Sequence, residues 1–365
     1  MIARAMEFII PGDLQSASGG YVYDRSMLAG LRALGWRVRV HGLDASFPHP
    51  TPDALAQAQR VFADLPDRAC VLVDGLALGA MPHVIQSHSR RLALVALIHM
   101  PLASEFGLAP AVAERLRRQE RRTLQLVRHV IVTSRSTERA LAGCGVDQAL
   151  LSVVEPGVWM TPIARGPRDR TDDRAVKMLC VATIHDGKGH ELLIDALAPL
   201  VHLPWHLQCV GSLSRSPATV QRLTDRLQRT GLVDRIALVG ELPHAALSEL
   251  YRAADLFVLP TLRESYGMAV AESLAHGLPV ISSRTGAIPE LVGTSAGLLI
   301  EPGDRDELHA ALLRTLENGA LRSSLRDAAL AAGARLTPWP QACERMARVL
   351  ERVCEQAGRP LGTAR

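Results

Sequence analysis

Short apolar runs alternate with amphipathic patterns along nearly the whole chain, and this alternation strongly restricts the possible folds. Runs in the first half predict strands at Glu7–Ile10, Arg37–His41, Cys70–Asp74, Leu92–His99, His129–Thr133 and Leu151–Val154. Runs in the second half predict strands at Val176–Ala182, Trp205–Val210, Arg235–Val239, Asp255–Leu259, Val280–Ser282 and Gly297–Ile300. Helical periodicity lies between many of them, notably at Tyr21–Leu34, Ala111–Val127, Glu191–Leu200, Ala218–Arg229, Ala245–Ala253 and Met268–His276. Strands that alternate with helices form parallel sheets covered on both faces, so the sequence predicts an α/β fold.

A polar segment divides the chain into two halves. Residues 160–174 hold two prolines and a glycine and lack periodicity, which is typical of a linker between domains. The 365 residues are 48% apolar, which is enough for two substantial cores. We therefore predict one domain over residues 1–160 and a second over residues 161–339, followed by a final helix over Gln341–Glu355.

Two glutamates flank a predicted strand-to-helix junction in the second half. The strand Asp255–Leu259 precedes Glu264, and Glu272 falls about one turn into the next helix. Ligands of parallel α/β sheets bind where strands end and helices begin. Both carboxylates could therefore face one ligand that carries several hydroxyls. The alternative explanation is a favourable interaction between a glutamate and the start of a helix.

A loop that contains glycine follows the first predicted strand of each half. Gly19-Gly20 opens the first helix, and Asp186–Gly189 joins a strand to a helix in the second half. Glycine lets the backbone approach a ligand closely, and a helix N-terminus attracts phosphate. Lys188 is unusual because Lys177 is the only other lysine among 41 basic residues, and a compact ammonium suits a phosphate. Neither loop matches G-x-G-x-x-G or a P-loop, so plain turns remain the alternative.

Other polar residues also lie at predicted strand ends. His99 ends an apolar strand, where active-site residues cluster, although a buried structural histidine is the alternative. Asp74-Gly75 ends another strand of the same predicted sheet and could also line a cleft between the two domains. We expect His185 and His190, on either side of Lys188, to be surface residues.

Metal ligation is not indicated by the spacing of potential ligands. The six cysteines are scattered without C-x-x-C pairs, and Cys180 and Cys209 lie inside apolar strands. Buried free thiols in a reducing compartment explain them better than disulfides or a metal site. Asp304 and Asp306 match D-x-D, but we expect Asp304 to cap a helix, with Glu307 completing a capping box.

These motifs together resemble the retaining nucleotide-sugar glycosyltransferases of family 4, which have the GT-B fold. The resemblance extends over nearly the whole chain and includes Gly19-Gly20, His99, Val154–Val158, Lys188-Gly189, Gly211, Gly240, the two glutamates, Gly277–Val280 and Thr337–Trp339. It implies two Rossmann-like doubly wound domains that face a central cleft. Residues 1–160 would form the acceptor-side domain, completed by a C-terminal helix over 340–365. Residues 161–339 would form the domain that binds the nucleotide sugar.

The resemblance also implies roles for the residues around the glutamate pair. Glu272 would hydrogen-bond the ribose hydroxyls of the nucleotide. Glu264, together with the backbone N–H groups of Tyr266, Gly267 and Met268, would hold the donor sugar.

Roles for the remaining site residues follow from the same resemblance. Lys188 and the backbone of Gly19-Gly20 would stabilise the diphosphate. His99 would lie near the sugar and the acceptor, and Gly211 would pass close to the nucleotide. The implied catalytic set is His99, Lys188 and Glu264, with no metal ion among the site ligands.

Three places depart from the family pattern: Thr183, the sequence Glu155-Pro156-Gly157 where Pro-Asn-Gly is usual, and Ser265-Tyr266-Gly267 where Gly-Phe-Gly is usual. Thr183 occupies the donor-site position, five residues before the lysine, where the family usually has arginine. Half of the cationic phosphate clamp is therefore missing at this position. Either Arg263 or Arg215 would supply the missing charge, or the affinity for the diphosphate would be lower.

The implied activity is a retaining, metal-independent hexosyl transfer without a cofactor. A sugar would move from a nucleoside-diphosphate sugar of the UDP or GDP type to an acceptor hydroxyl. The acceptor would be a lipid-linked glycan, a polysaccharide or a small metabolite. Two alternatives remain open at this point: a nucleotide-sugar epimerase of the same fold, and a catalytically weak protein that binds nucleotide sugars.

Charge and hydropathy restrict the partners and the location. The net charge is +4, and residues 113–128 hold six arginines against two glutamates, which predicts a basic helix around Arg115–Arg122. A solvated face explains such a helix, and an anionic membrane surface or phosphate-bearing acceptor is the alternative. Aromatic residues make up only 4% of the chain and none lies in this helix, which argues against nucleic acid. Without a signal-peptide pattern or a membrane-length apolar stretch, we expect a cytoplasmic protein, with peripheral contact at the inner face of the membrane.

Overall fold

A computed structural model describes residues 4–160 and 175–356. Most of the predicted linker and residues 357–365 of the predicted C-terminal helix therefore lie outside the described residues. Within the described residues the chain divides into two units. The N-terminal unit comprises residues 4–16, 20–157 and 339–356, and the C-terminal unit comprises residues 17–19, 158–160 and 175–338.

The N-terminal unit is built on a parallel sheet of six strands. Its elements, in chain order, are β1 (Ala5–Pro11), α1 (Gly19–Ala33), β2 (Arg37–Leu43), α2 (Pro52–Ala63), β3 (Cys70–Asp74), α3 (Gly75–Leu78), α4 (Pro82–His88), β4 (Ala93–Ile98), α5 (Pro110–Leu124), β5 (His129–Val132), α6 (Arg135–Ala140) and β6 (Leu151–Val153). The strand order is β2-β1-β3-β4-β5-β6. Every residue of β4 is buried, as expected for a continuous apolar strand covered on both faces. The order reverses at β1, so the switch point of this sheet lies between β1 and β3.

The C-terminal unit holds a second parallel sheet of six strands. Its elements are β7 (Val176–Val181), α7 (His190–Leu197), β8 (Trp205–Val210), α8 (Pro217–Thr230), β9 (Ile236–Gly240), α9 (His244–Ala253), β10 (Leu256–Leu259), α10 (Met268–Ala275), β11 (Val280–Ser283), α11 (Ile288–Val292), β12 (Gly297–Ile300), α12 (Arg305–Glu317) and α13 (Gly319–Gly333). The strand order is β12-β11-β10-β7-β8-β9, which is the doubly wound dinucleotide-binding order. Its switch point lies between β7 and β10. The predicted α/β class is confirmed, and every predicted strand is present.

The last described helix, α14 (Trp339–Gln356), packs within the N-terminal unit. Cys343 on α14 donates a thiol hydrogen bond to the carbonyl of Ser26 at 3.6 Å. A Cβ at Gly30 would lie 2.1 Å from the Cys343 sulfur, so only glycine allows helix α1 to approach α14 this closely. Arg4 and Glu351 form an ion pair at 2.9 Å.

The start of helix α12 agrees with only part of its prediction. Asp304 caps the helix, because its Oδ1 accepts hydrogen bonds from the N–H groups of Asp306 and Glu307 at 3.0 and 2.9 Å. The Glu307 carboxylate accepts from the N–H of Glu301 at 2.7 Å instead of from Asp304. The capping box is therefore replaced by a bond to the preceding loop.

Across residues 4–160 and 175–356, no helix combines the length and apolar character needed to cross a bilayer.

Candidate active site

Lys188 and Glu264 meet at the switch point of the C-terminal sheet. Lys188 follows β7 in a single 3₁₀ turn, Asp186–Lys188, and Glu264 lies in the loop after β10. The Lys188 ammonium donates to Glu264 Oε2 at 2.7 Å, and the two side chains are 19% and 18% exposed. Because β7 and β10 are neighbours in the sheet, these loops are adjacent although 76 residues separate the two side chains in sequence. A charged pair therefore lies where ligands of such sheets bind.

Glycines and backbone hydrogen bonds hold the lysine loop against the strand beside it. Gly189 has a φ of +72°, and a Cβ there would lie 2.1 Å from the carbonyl oxygen of Pro260. The carbonyl of Gly187 accepts hydrogen bonds from the Thr261 hydroxyl at 3.1 Å and from the Leu262 N–H at 2.8 Å. The sequence Gly-Lys-Gly thus sets the loop in place as well as supplying a cation.

The turn after Glu264 presents backbone N–H groups at the start of helix α10. Gly267 is the N-terminal cap of α10, with a φ of +96° that favours glycine, and Met268 is the first helical residue. The first N–H groups of a helix have no partner within it and suit a ligand oxygen. Tyr266 is buried, and the Ser265 N–H donates to Glu264 Oε1 at 3.2 Å. Glu264 is therefore fixed at both carboxylate oxygens.

Glu272 lies in the second turn of α10 and is held by a tyrosine. The Tyr251 hydroxyl donates to Glu272 Oε2 at 3.1 Å, and the Tyr251 ring stacks on His276 at 5.0 Å between centroids. Burial raises the pKa of Glu272 to about 7, although the hydrogen bond from Tyr251 opposes the shift. Among the described residues, the Glu272 carboxylate hydrogen-bonds with Tyr251 rather than with Lys188 or Glu264.

The loops after β7 and β8 approach each other closely beside Thr183. Gly211 has a φ of +153°, and a Cβ there would lie 1.9 Å from the Ala182 carbonyl oxygen and 2.9 Å from the Thr183 nitrogen. Burial lowers the pKa of His185, and the positive charges of Lys188 and Arg215 lower it further. Arg215 is therefore close enough to act electrostatically on the lysine loop, where Thr183 provides no charge.

His190 corrects one expectation drawn from the sequence. It is only 4% exposed, and burial lowers its pKa to about 4. The prediction of a surface histidine is wrong because His190 is the first residue of α7, and this position turns its ring toward the sheet.

A second cluster of ionisable groups lies at the switch point of the N-terminal sheet. His99 follows β4, and its Nε2 lies 3.1 Å from Asp24 Oδ1 and 3.6 Å from Asp74 Oδ2. Asp74 ends β3 and also accepts a hydrogen bond from the Leu76 N–H at 2.7 Å. His99 and Asp74 therefore meet at one edge of the sheet, with Asp24 of α1 as a third member.

The electrostatics of this cluster favour protonation. Burial raises the pKa of Asp74 to about 7, and the charge of Asp24 adds to the effect. Burial alone would lower the pKa of His99, but the carboxylates of Asp24 and Asp74 outweigh it and raise that pKa above its usual value. Asp24 is fully buried, and its Oδ2 has no hydrogen-bond partner among the described residues. The raised pKa values mean that Asp74 and His99 both bind their protons more tightly than the free side chains do.

Gly20 allows helix α1 to lie against His99. A Cβ at Gly20 would contact the imidazole at 3.4 Å. Gly19 and Gly20 are the first residues of α1, as the sequence predicted, and the role of their backbone in diphosphate binding stays a prediction. Sequence reasoning missed Asp24. Its one signal is a carboxylate on the buried face of α1, next to Tyr23 and near Met27.

Helix α5 carries the predicted basic surface. Its exposed arginines are Arg115, Arg117, Arg118, Arg121 and Arg122. Glu120 lies on the opposite, buried face, where burial raises its pKa to about 7. Arg117 pairs with Glu114, and Arg122 donates to the Gln86 side chain.

The C-terminal unit matches a known family. Residues 175–318 match the family described as Glycosyl transferases group 1. The C-terminal unit is therefore similar to the group 1 glycosyltransferases. The resemblance drawn from the sequence is thereby confirmed.

Curated relatives and solved structures extend the likeness over both units. MMP alpha-(1->4)-mannosyltransferase of Mycolicibacterium hassiacum is 28% identical over 289 residues, or 75% of this chain and 68% of that relative. Matches to other curated relatives cover between 43% and 61% of their lengths, so the chain spans about half to two thirds of most relatives it matches.

The structural likeness confirms the expected fold of the chain. Sucrose-phosphate synthase from Thermosynechococcus elongatus aligns with a TM-score of 0.78 and 22% identity, over 95% of this chain and 99% of that one. Anabaena Alr3699/HepE, solved in complex with UDP-glucose, aligns with a TM-score of 0.70 and 18% identity, over 95% and 100% of the two chains. The two doubly wound domains predicted as a GT-B fold are therefore present.

Proposed function

We propose that this protein transfers a hexosyl group from a nucleoside-diphosphate sugar to an acceptor hydroxyl, with retention of configuration and without a metal ion. The single observation that carries the proposal is the Lys188–Glu264 pair at the switch point of a dinucleotide-type sheet. This location is where such sheets bind nucleotides. The pair combines a phosphate-binding cation with a carboxylate that accepts hydrogen bonds from sugar hydroxyls.

The leaving group sets the main electrostatic requirement of the reaction. A nucleoside diphosphate departs with negative charge, and fixed cations and N–H dipoles stabilise it without reorganisation. Lys188 would supply the cation, and the open N–H groups at Gly267 and Met268 would supply dipoles near the sugar and phosphate. This arrangement removes the need for a metal ion at the diphosphate.

The acceptor would attack the face of the sugar that the phosphate leaves. The bond to the leaving group would break as the new glycosidic bond forms. The departing phosphate oxygen would take the proton of the acceptor hydroxyl. No separate general base is required for this step. Glu264, fixed by Lys188 and the Ser265 N–H, would orient the sugar during the transfer.

The donor is proposed to be of the UDP or GDP type. The Anabaena neighbour was solved with UDP-glucose, and the Mycolicibacterium relative is named as a mannosyltransferase. Glu272, held by Tyr251, would accept hydrogen bonds from ribose hydroxyls, which all of these nucleotides share. Glu272 would therefore contribute to nucleotide affinity without selecting the base.

A ligand panel tests the donor assignment. The thermal stability of the full chain is measured with UDP, GDP, ADP and dTDP. A nucleotide present at 100 times its dissociation constant stabilises the fold by about 2.7 kcal/mol. We expect one diphosphate to raise the melting temperature clearly more than the others, and an absence of any shift would refute nucleotide-sugar binding.

Turnover of the matching donor tests the reaction. The donor is incubated with the protein, with and without a broad acceptor panel, in buffer that contains a metal chelator. The released nucleoside diphosphate, the remaining donor and the anomeric configuration of the product are then measured. Acceptor-dependent release with a retained anomer supports the proposal. Conversion of the donor without acceptor would instead identify an epimerase, and binding without turnover would identify a binding protein.

We also propose a cytoplasmic location with helix α5 in peripheral contact with an anionic membrane surface. Five exposed arginines on one helix support this, since each basic residue near such a surface contributes about 1 kcal/mol. Flotation with vesicles containing anionic lipid at low salt should carry the protein upward. Replacing Arg118 and Arg121 by Gln should reduce flotation, and equal flotation with neutral vesicles would contradict the electrostatic contact.

A further inference from the structure

Three potential metal ligands meet in the core of the C-terminal unit, outside the groups assigned to transfer. Cys180 lies in β7, Cys209 lies in the neighbouring strand β8, and His190 is the first residue of α7. The two cysteines are direct partners in the parallel register of β7 and β8. One ligand atom from each of the three residues lies within 4.8 Å of the other two.

Their environment excludes solvent. Cys180 is 0% exposed, Cys209 is 3% exposed and His190 is 4% exposed. Both cysteines belong to the apolar core of the unit. A fully buried imidazole is neutral and keeps a lone pair for a metal ion. The cluster therefore holds two thiols and an imidazole that water does not reach.

The spacing of two of the ligand atoms matches the spacing expected around a zinc ion. The sulfur of Cys180 lies 3.7 Å from Nε2 of His190. Tetrahedral zinc, with bonds of about 2.3 Å to sulfur and about 2.1 Å to nitrogen, places these two ligands about 3.6 Å apart. Sulfur and imidazole are also the ligands that zinc prefers.

The charge balance favours a divalent ion at this buried position. Two thiolates, one neutral imidazole and Zn²⁺ form a complex with no net charge, which avoids the cost of burying an ion. Binding breaks the two S–H bonds, forms two Zn–S bonds and one Zn–N bond, and releases two protons to solvent. The three residues supply three of the four ligands of a tetrahedral ion, and a water molecule that enters with the ion would complete the fourth position.

We propose that Cys180, His190 and Cys209 form a structural site for one thiophilic divalent ion, of which zinc is the expected occupant. The site would tie β7, β8 and α7 together directly behind the lysine loop, because His190 follows Gly189. Cys180 also lies close enough for its charge to act on Tyr251, the partner of Glu272. The ion would stabilise the donor-binding loops and take no part in sugar transfer.

Zinc content of the purified full chain tests the proposal. Protein is purified from zinc-replete cells without chelators and analysed by inductively coupled plasma mass spectrometry. We expect about one zinc per chain in the wild type and a loss of most of it in Cys180→Ser and Cys209→Ser. Cys343→Ser, which changes a buried cysteine of the N-terminal unit, should retain the metal. Zinc-free wild-type protein, or zinc that survives both substitutions, would overturn the site.

Cobalt binding provides a measurement that does not depend on whether the variants fold. Reduced wild-type protein is stripped with chelator and titrated with Co²⁺. Stoichiometric binding should produce a sulfur-to-cobalt charge-transfer band and the intense visible bands of a tetrahedral site. Spectra without thiolate ligation would show that the three residues make only hydrogen bonds. An intact mass lower by two hydrogen atoms, with the loss assigned to Cys180 and Cys209, would show a disulfide instead.

Discussion

The two sheets carry charged groups at their switch points in opposite electrostatic settings. In the C-terminal unit, Lys188 and Glu264 have opposite charges and are 19% and 18% exposed. In the N-terminal unit, the side chains of Asp24 and Asp74 are 0% and 3% exposed and both face His99. The opposite charges of the first pair attract each other, whereas burial and the nearby Asp24 carboxylate raise the pKa of Asp74 in the second. The first setting suits a charged ligand, and the second responds to pH.

The largest effect should come from removing the cation of the C-terminal pair. We predict that Lys188→Ala lowers kcat for sugar transfer by about 10²- to 10³-fold, the range seen when one preorganised electrostatic group is lost. The substitution removes positive charge from the departing diphosphate and leaves the Glu264 carboxylate without its partner. Initial rates at saturating donor and acceptor measure the effect.

Lys177 provides a matched control for this substitution. It is the other lysine of the chain and is exposed on β7, the strand that leads into the same loop. Lys177→Ala should leave kcat within about 2-fold of the wild type. Equal losses in the two variants would show that Lys188 acts through stability of the unit rather than through the diphosphate.

The next effect should be a change in the pH dependence of stability in the N-terminal cluster. Burial raises the pKa of Asp74 from 3.8 to about 7, so the unfolded chain loses this proton first as pH rises. Stability should therefore fall between about pH 4 and pH 7 and stay level above. We predict that Asp74→Asn removes this fall, gaining on the order of 2 kcal/mol relative to the wild type at pH 8.

Urea unfolding at pH 4.5, 6 and 8 measures this difference. The asparagine oxygen can still accept the hydrogen bond from the Leu76 N–H, so the local turn should survive. Asp67→Asn is the control, because Asp67 is 77% exposed and pairs only at the surface with Arg91. A parallel pH profile for Asp74→Asn and the wild type would contradict the proton-retaining cluster.

A smaller effect of the same sign is expected at Glu272. Burial raises its pKa from 4.5 to about 7, but the side chain is more accessible than that of Asp74, which weakens the effect. We predict that Glu272→Gln stabilises the unliganded protein by on the order of 1 kcal/mol at pH 8. The same substitution should reduce the thermal shift produced by nucleotide, because glutamine replaces the carboxylate proposed to bind ribose.

A gain in stability together with a smaller nucleotide-induced thermal shift would distinguish a binding role of Glu272 from a structural one. Glu317→Gln serves as a control, since Glu317 is exposed on α12 in the same unit, and it should change neither quantity. If Glu272→Gln lost stability and kept its nucleotide response, the carboxylate would be a structural partner of Tyr251 alone.

Much of the fold was predictable because buried parallel strands read as continuous apolar runs. Strands β3 and β4 are buried along their whole length. Each can therefore be predicted from its own apolar run, without knowledge of the strands beside it. The meeting of Lys188 and Glu264 was only partly predictable. Each residue follows a predicted strand, but the sequence pattern does not predict that β7 and β10 are neighbours in the sheet.

The positions of the remaining residues depend on side-chain orientation and on the packing of distant elements, which spacing in the sequence does not predict. Asp24 is one acid inside an amphipathic helix, and its role becomes visible only when α1 lies against His99. His190 has polar neighbours in sequence, yet the start of α7 turns it into the core beside Cys180. Cys180 and Cys209 come together through strand register, which local motifs do not report.

The smallest effect should come from Arg215, the second cation near the lysine loop. Thr183 lacks the charge expected beside Lys188, and the positive charge of Arg215 already acts on His185 in this loop. We predict that Arg215→Ala weakens nucleoside-diphosphate affinity by about 2- to 10-fold and leaves nucleoside affinity unchanged, since the lost contact is to phosphate. Calorimetric titration with both ligands measures the difference. Arg229→Ala, at an exposed position on α8, should change neither affinity. Equal weakening of nucleoside and diphosphate by Arg215→Ala would show that the loop has shifted as a whole, whereas an unchanged diphosphate affinity would leave Arg263 as the remaining candidate for the missing half of the clamp.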